Sequence, residues 1–248
     1  MGLESFCGLC LIAAGPAAVV YVAVIARKSF LVLLTLASAF YWLVVLMVIS
    51  ALVRGFVPLP DSPGPYAALL IACVAIEEAA RAGLYQLHRR LMGLLEGLAA
   101  RQQNTNLSTA DKLSMVTAHG LAHGLTHTVF LCISWLPLTL DVGTYYSDAC
   151  PQMSVFLASA LLSLSFLMIH TASMVVVFSG AAAGKPLQRF GPSALHLIAA
   201  LLTLSSFGHG GCVASVFLSF LIGVAAVGCA VHVAWRSLHP STLSSPSH

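Results

Sequence analysis

The chain has 248 residues, 59% of them hydrophobic and 8% charged, with a mean hydropathy of +0.95. Soluble domains carry about 25% charged residues, so a soluble fold of this size has no polar skin wide enough to hide so much apolar surface, whereas a bilayer solvates it directly. The net charge of +3 is small and implies no nucleic-acid partner.

A helix needs roughly 20 apolar residues to cross about 30 Å of hydrocarbon. Residues 5–26 and 29–53 contain no charge and are separated by Arg27 and Lys28. After the turn-rich PLPDSPGP (58–65), a third segment covers 66–87 and holds Glu77, Glu78 and Arg81 within it. A polar stretch at 88–112 precedes a fourth span at 113–137, and a fifth covers 153–180. From Phe190 to Trp235 there are 46 uncharged residues, enough for two spans, 191–207 and 212–235, with GHGG (208–211) as the turn. The predicted fold is therefore all-α. It is a polytopic membrane protein with one domain of seven transmembrane helices over 1–236 and a short polar tail at 237–248.

Cytoplasmic flanks collect Lys and Arg. Arg27, Lys28, Arg89, Arg90, Arg101, Lys112, Lys185, Arg189 and Arg236 all fall on one side of the predicted membrane, against Arg54 alone on the other. This predicts a lumenal or extracellular amino terminus and a cytosolic carboxyl terminus. Asn106-Leu107-Ser108 is a formal glycosylation acceptor that the same count places in the cytosol. Asn106 is expected to stay unmodified, and endoglycosidase-sensitive sugar on it would reverse the orientation of every helix.

The first segment lacks a basic leader and carries Glu4, so it reads as a retained helix and not as a signal peptide. Phe6 breaks a myristoylation pattern. Of the seven cysteines, CGLC (7–10) opens a membrane helix and reads as buried thiols, and a lumenal Cys150–Cys212 bridge is left open.

The stretch AHGLAHGLTH (118–127) lies inside the fourth span. His119 and His127 are eight residues apart, roughly 12 Å along a helix axis, and cannot share one ion. Neighbouring pairs at i, i+4 need further ligands from another helix, and no HExxH accompanies them. No metal or cofactor is assigned on this basis. Gly120 and Gly124 form GxxxG, which admits the backbone of a second helix, either in this chain or in a partner.

GLCLIAAGPAAVVYV (8–22), AFYWLVVLMVIS (39–50), EEAARAGLYQLHRRLMGLLEGL (77–98), HGLAHGLTH, LMIH (167–170) and SALHLIAALLT (193–203) together resemble the Aph (anterior pharynx-defective) subunit family of gamma-secretase. The resemblance covers nearly all seven spans in order, and that family has the topology derived above. It implies a fourth-helix GxxxGxxxG motif that holds the complex together; Gly120 and Gly124 match its first two glycines, and Thr128 stands at the third. Restoring glycine at 128 is expected to be neutral or slightly strengthening. The resemblance further implies assembly and activity roles for His170 and His196, whereas His119, His123 and His127 are not part of the family pattern. It also implies presenilin, nicastrin and the presenilin enhancer subunit as partners, and residence in endoplasmic reticulum, Golgi, endosomal and plasma membranes among their lipids. Presenilin would then supply the catalytic aspartates for cleavage of type I membrane proteins, Notch signalling included.

Ionisable groups inside a membrane are costly, and by default they are functional or partner-satisfied. Glu78, Arg81, His170 and His196 are predicted at similar depth in the cytosolic half, as one buried cluster with Glu78 or Glu77 paired to Arg81. The alternative is an enzyme. The same residues look like a remnant of the CAAX-processing intramembrane glutamate proteases (EExxxR, FxxxH, HxxxN/D), with Glu78, His170 and His196 as catalytic residues. Here the arginine of EEAAR comes one residue early and Ala200 replaces the last polar ligand, so the apparatus is incomplete. Asp61, Asp111, Asp141 and Asp148 fall in loops or at span ends and supply no aspartyl dyad. Receptor motifs and the paired broken helices of transporters are not seen. The prediction is a non-catalytic scaffold.

Overall fold

The computed structural model describes residues 2–56, 63–103, 107–140 and 145–239. Part of the predicted turn at 58–65, Asp61, Asn106, Asp141 and residues 240–248 of the predicted tail lie outside the described residues. Among the described residues there are seven α-helices and no strand: α1 (Leu3–Val20), α2 (Ser29–Phe56), α3 (Pro63–Gln103), α4 (Thr109–Thr128), α5 (Val155–Ala182), α6 (Pro186–Leu202) and α7 (Gly211–Leu238). Six of these, some with short extensions, are long and apolar enough to cross a membrane. The seventh, α3, carries Glu77, Glu78 and Arg81 in its apolar half. The protein is a multi-pass membrane protein.

Three boundaries differ from the predicted ones. The polar stretch after residue 87 is mostly not a loop, because α3 continues to Gln103. Its sequence there, LHRRLMGLLEGLAARQQ, is rich in good helix formers and has no proline. An ion pair from Lys112 Nζ to Glu96 Oε1 (2.6 Å) ties this extension to α4. The fourth helix starts early because Ser108 caps it, its Oγ accepting from the Asp111 N–H at 3.1 Å. After Thr128 it widens into a π turn, Val129–Ile133, and then tightens into a 3-10 turn, Leu136–Leu140. Finally, α6 begins at Pro186, since a proline in the first helical turn forgoes no hydrogen bond that the helix would make.

The most buried helix is α5, which packs against α1, α4, α6 and α7. On the α4 side, α2 covers α4, and α3 lies against α2 and α6. Lys28, in the α1–α2 link, pairs with Asp111 at the start of α4. At the opposite end the loop before α5 is fastened to the first turn of α7 by a Cys150–Cys212 disulfide and to the α6–α7 turn by the Gly210 N–H donating to the Ala149 carbonyl at 2.8 Å. Gly210 has φ +73°, a conformation open to glycine at little cost, which allows the chain to reverse before α7. Phe40 and Met47 on α2 and Phe217 and Val231 on α7 point outward into what a membrane supplies as solvent.

Candidate functional site

Four helices direct ionisable side chains to one place inside the bundle. On α3, residues 77, 78 and 81 lie within one helical turn, so two carboxylates and a guanidinium share a face. His123 and His127 are one turn apart on α4, His170 comes from α5, and Ser193 and His196 come from α6. Glu77, Arg81, His123, His170 and His196 are all buried.

The predicted Glu78, Arg81 and His196 converge, and Glu78, not Glu77, is the partner of Arg81. Arg81 Nη1 donates to both Glu78 oxygens, at 2.7 and 2.8 Å. Ser193 Oγ donates to Oε2 at 2.5 Å, and His196 Nδ1 lies 3.2 Å from Oε1. The pairing resolves an acute problem: a charge at this depth is tolerable only when paired and hydrogen-bonded. The remaining nitrogens of Arg81, Nε and Nη2, are buried without a partner, which leaves the guanidinium dependent on Glu78.

His170 adjoins this group through its ring. Its centroid is 4.6 Å from that of His196, 4.1 Å from that of His127 and 4.0 Å from that of His123. Glu77 lies among the histidines, its Oε2 3.1 Å from His127 Nε2, 3.7 Å from His123 Nε2 and 3.9 Å from His196 Nε2. Trp42 of α2 stacks on His123 with centroids 3.4 Å apart. Neither nitrogen of His123 or of His170 has a hydrogen-bond partner. An unsatisfied buried polar group costs about 1–3 kcal/mol. Among the described residues, Glu77, His123, His127 and His170 form a group that could hold a metal ion, each offering one ligand atom.

The sequence reading did not join His123 and His127 to the cluster. The available signal was their i, i+4 spacing, which puts both on the face that looks toward α3 and α5. His119, one turn earlier, belongs elsewhere. Its Nδ1 is 2.6 Å from Ser38 Oγ on α2, and its Nε2 is 3.2 Å from Nδ1 of His88 on α3. His88 was not singled out in the sequence, because it stands beside Arg89 and Arg90 in a stretch read as polar connection.

Gly120 and Gly124 face α5 of the same chain. A Cβ on Gly120 would lie 2.6 Å from the Thr171 carbonyl oxygen, and one on Gly124 would lie 2.7 Å from Leu167 Cδ1 and 2.9 Å from the Leu167 carbonyl oxygen. Of the two expectations for GxxxG, the close approach seen is to α5 of the same chain. Thr128 is fully buried and its hydroxyl donates to the Gly124 carbonyl at 3.0 Å, so the third position is occupied by a satisfied side chain.

The sequence matches known proteins along nearly its whole length. The Aph-1 protein family model matches residues 4–237. The chain is 38% identical over 242 residues to an Arabidopsis thaliana protein named gamma-secretase subunit APH1-like, an overlap covering 97% of each chain. It is 30% identical to mouse gamma-secretase subunit APH-1B, covering 88% of this chain and 86% of that one. With the Drosophila melanogaster gamma-secretase subunit Aph-1 it shares 29% over 72% of this chain and 71% of that protein. A match that runs from the first turn of α1 to the last of α7, and so takes in every helix that builds the buried cluster, leaves one conclusion: the chain belongs to the Aph-1 family.

Proposed function

We propose that this protein is a non-catalytic subunit of a gamma-secretase complex, a membrane scaffold that stabilises presenilin, nicastrin and the presenilin enhancer subunit. Its relatives are named as gamma-secretase subunits. The observation that carries the non-catalytic reading is the state of Glu78. Both of its oxygens accept from Arg81, and they are further held by Ser193 and His196. A general base needs a free lone pair aimed at a substrate proton; Glu78 has instead become a clamp joining α3 to α6. The Cys150–Cys212 disulfide joins the connection before α5 to the first turn of α7, both at the end assigned to the lumenal side, and favours that orientation, since disulfides persist in oxidising compartments.

Affinity purification in mild detergent tests the proposal. Presenilin and nicastrin are expected to co-purify with the chain, and the chain alone is expected to cut no membrane peptide. Proteolysis by the isolated chain that disappears in Glu78→Gln would establish the glutamate-protease alternative. His170→Leu and His196→Leu are expected to insert normally but to lower the yield of complex or its associated proteolysis.

A further inference from the structure

The sequence argument against a metal in HGLAHGLTH rested on missing ligands, and the fold supplies them from two other helices. Glu77 of α3, His123 of α4 and His170 of α5 are buried and His127 of α4 is partly buried, and their four ligand atoms lie within 4.8 Å of one another. Arg81, the one cationic side chain among these groups, is hydrogen-bonded to Glu78, and the nearest nitrogens to the Glu77 carboxylate are those of His127, His123 and His196. The two rings that are wholly enclosed, His123 and His170, have no hydrogen-bond partner on any of their four nitrogens. The Glu77 carboxylate meets one ring nitrogen at hydrogen-bond distance, His127 Nε2 at 3.1 Å, and each neutral imidazole keeps a nitrogen lone pair, so the group together offers the donor set of a cation.

We propose that Glu77, His123, His127 and His170 bind one zinc ion. Three imidazoles and a carboxylate form a borderline nitrogen–oxygen set suited to zinc, and helix pairs at i, i+4 are a familiar way to present two of the ligands. Zinc–ligand bonds of about 2.0–2.2 Å put tetrahedral donor atoms roughly 3.4 Å apart, so the side chains draw in by about an ångström or less. The stack of Trp42 on His123 and the packing of Phe166 beside His170 hold two of the ring planes. His196 lies outside this four-residue group; its Nδ1 is 3.2 Å from Glu78 Oε1, and its Nε2 is 3.9 Å from Glu77 Oε2. Four protein ligands close the coordination sphere. That marks a structural site, a cross-link of α3, α4 and α5, and not a catalytic one with an open position. This inference does not depend on the proposed function. The competing occupant is a proton shared by His127 and Glu77.

The test uses the full chain, without a histidine tag, purified in mild detergent free of chelator. Elemental analysis is expected to find about one zinc per chain, in line with a single four-ligand site. Exchange with cobalt(II) is expected to produce the intense visible bands of tetrahedral cobalt. His127→Gln and Glu77→Gln should lose the ion, and His119→Gln should keep it. Protein that is metal-free as isolated and takes up neither zinc nor cobalt on dialysis would overturn the proposal in favour of the proton. Stoichiometric metal retained by a Glu77→Gln/His127→Gln double variant would also overturn it, reassigning the ion to surface histidines such as His209 and His232. If those variants fail to fold, the cobalt spectrum of the unaltered chain decides, and bands of octahedral type count against the site.

Discussion

Arg81→Met is expected to be the most damaging single change in the membrane interior, lowering stability by about 3–5 kcal/mol, the range for removing one member of a buried ion pair. Arg81 is only 1% exposed and holds both Glu78 oxygens. Without it the carboxylate stays buried with only Ser193 and His196 to satisfy it. Methionine occupies similar volume and adds no charge, so the loss reports electrostatics and not a cavity. Thermal unfolding in detergent, with the yield of monodisperse protein, measures it. The double variant Arg81→Met/Glu78→Gln is the diagnostic, because removing both charges of a buried pair is often close to neutral. It is expected to recover most of the stability. A double variant no better than the single one would mean that the pair is not what holds α3 to α6.

Gly124→Leu is expected to damage the isolated chain itself, before any partner is present. Its side chain would enter space filled by Leu167 of α5, and overpacking of this kind costs about 1–3 kcal/mol or more, a factor of roughly 5–150 in the folding equilibrium. Alanine is not benign in this groove. Both glycines meet backbone that cannot swing aside, but the Thr171 carbonyl oxygen would lie 2.6 Å from a Cβ at Gly120, against 2.9 Å for the Leu167 carbonyl oxygen at Gly124. Gly120→Ala is therefore expected to be worse than Gly124→Ala. Thr128→Gly is expected to destabilise, against the expectation raised by the family motif, since it removes a fully buried side chain and its bond to the Gly124 carbonyl. Gel filtration and unfolding of the purified chain check all four variants. A Gly124→Leu chain that is as stable as the parent alone, yet loses its partners, would move the important contact of this glycine outside the chain.

Composition and charge spacing determined the class, the helix order and the approximate spans of this protein, because crossing a bilayer requires long runs of apolar residues that no tertiary contact can disguise. That Arg81 pairs within EEAAR was legible for a related reason, since a charge at that depth must find a partner nearby, but spacing left Glu77 and Glu78 both open and the structure selects Glu78. Two further features were decided only in three dimensions. Whether Gly120 and Gly124 receive a partner helix or α5 depends on which backbone lies across them, and helical spacing is the same in either case. The grouping of Glu77 with His123, His127 and His170 depends on how α3, α4 and α5 are rotated about their axes, and packing sets that rotation. Periodicity places side chains on a face; only the neighbouring helix determines what that face meets.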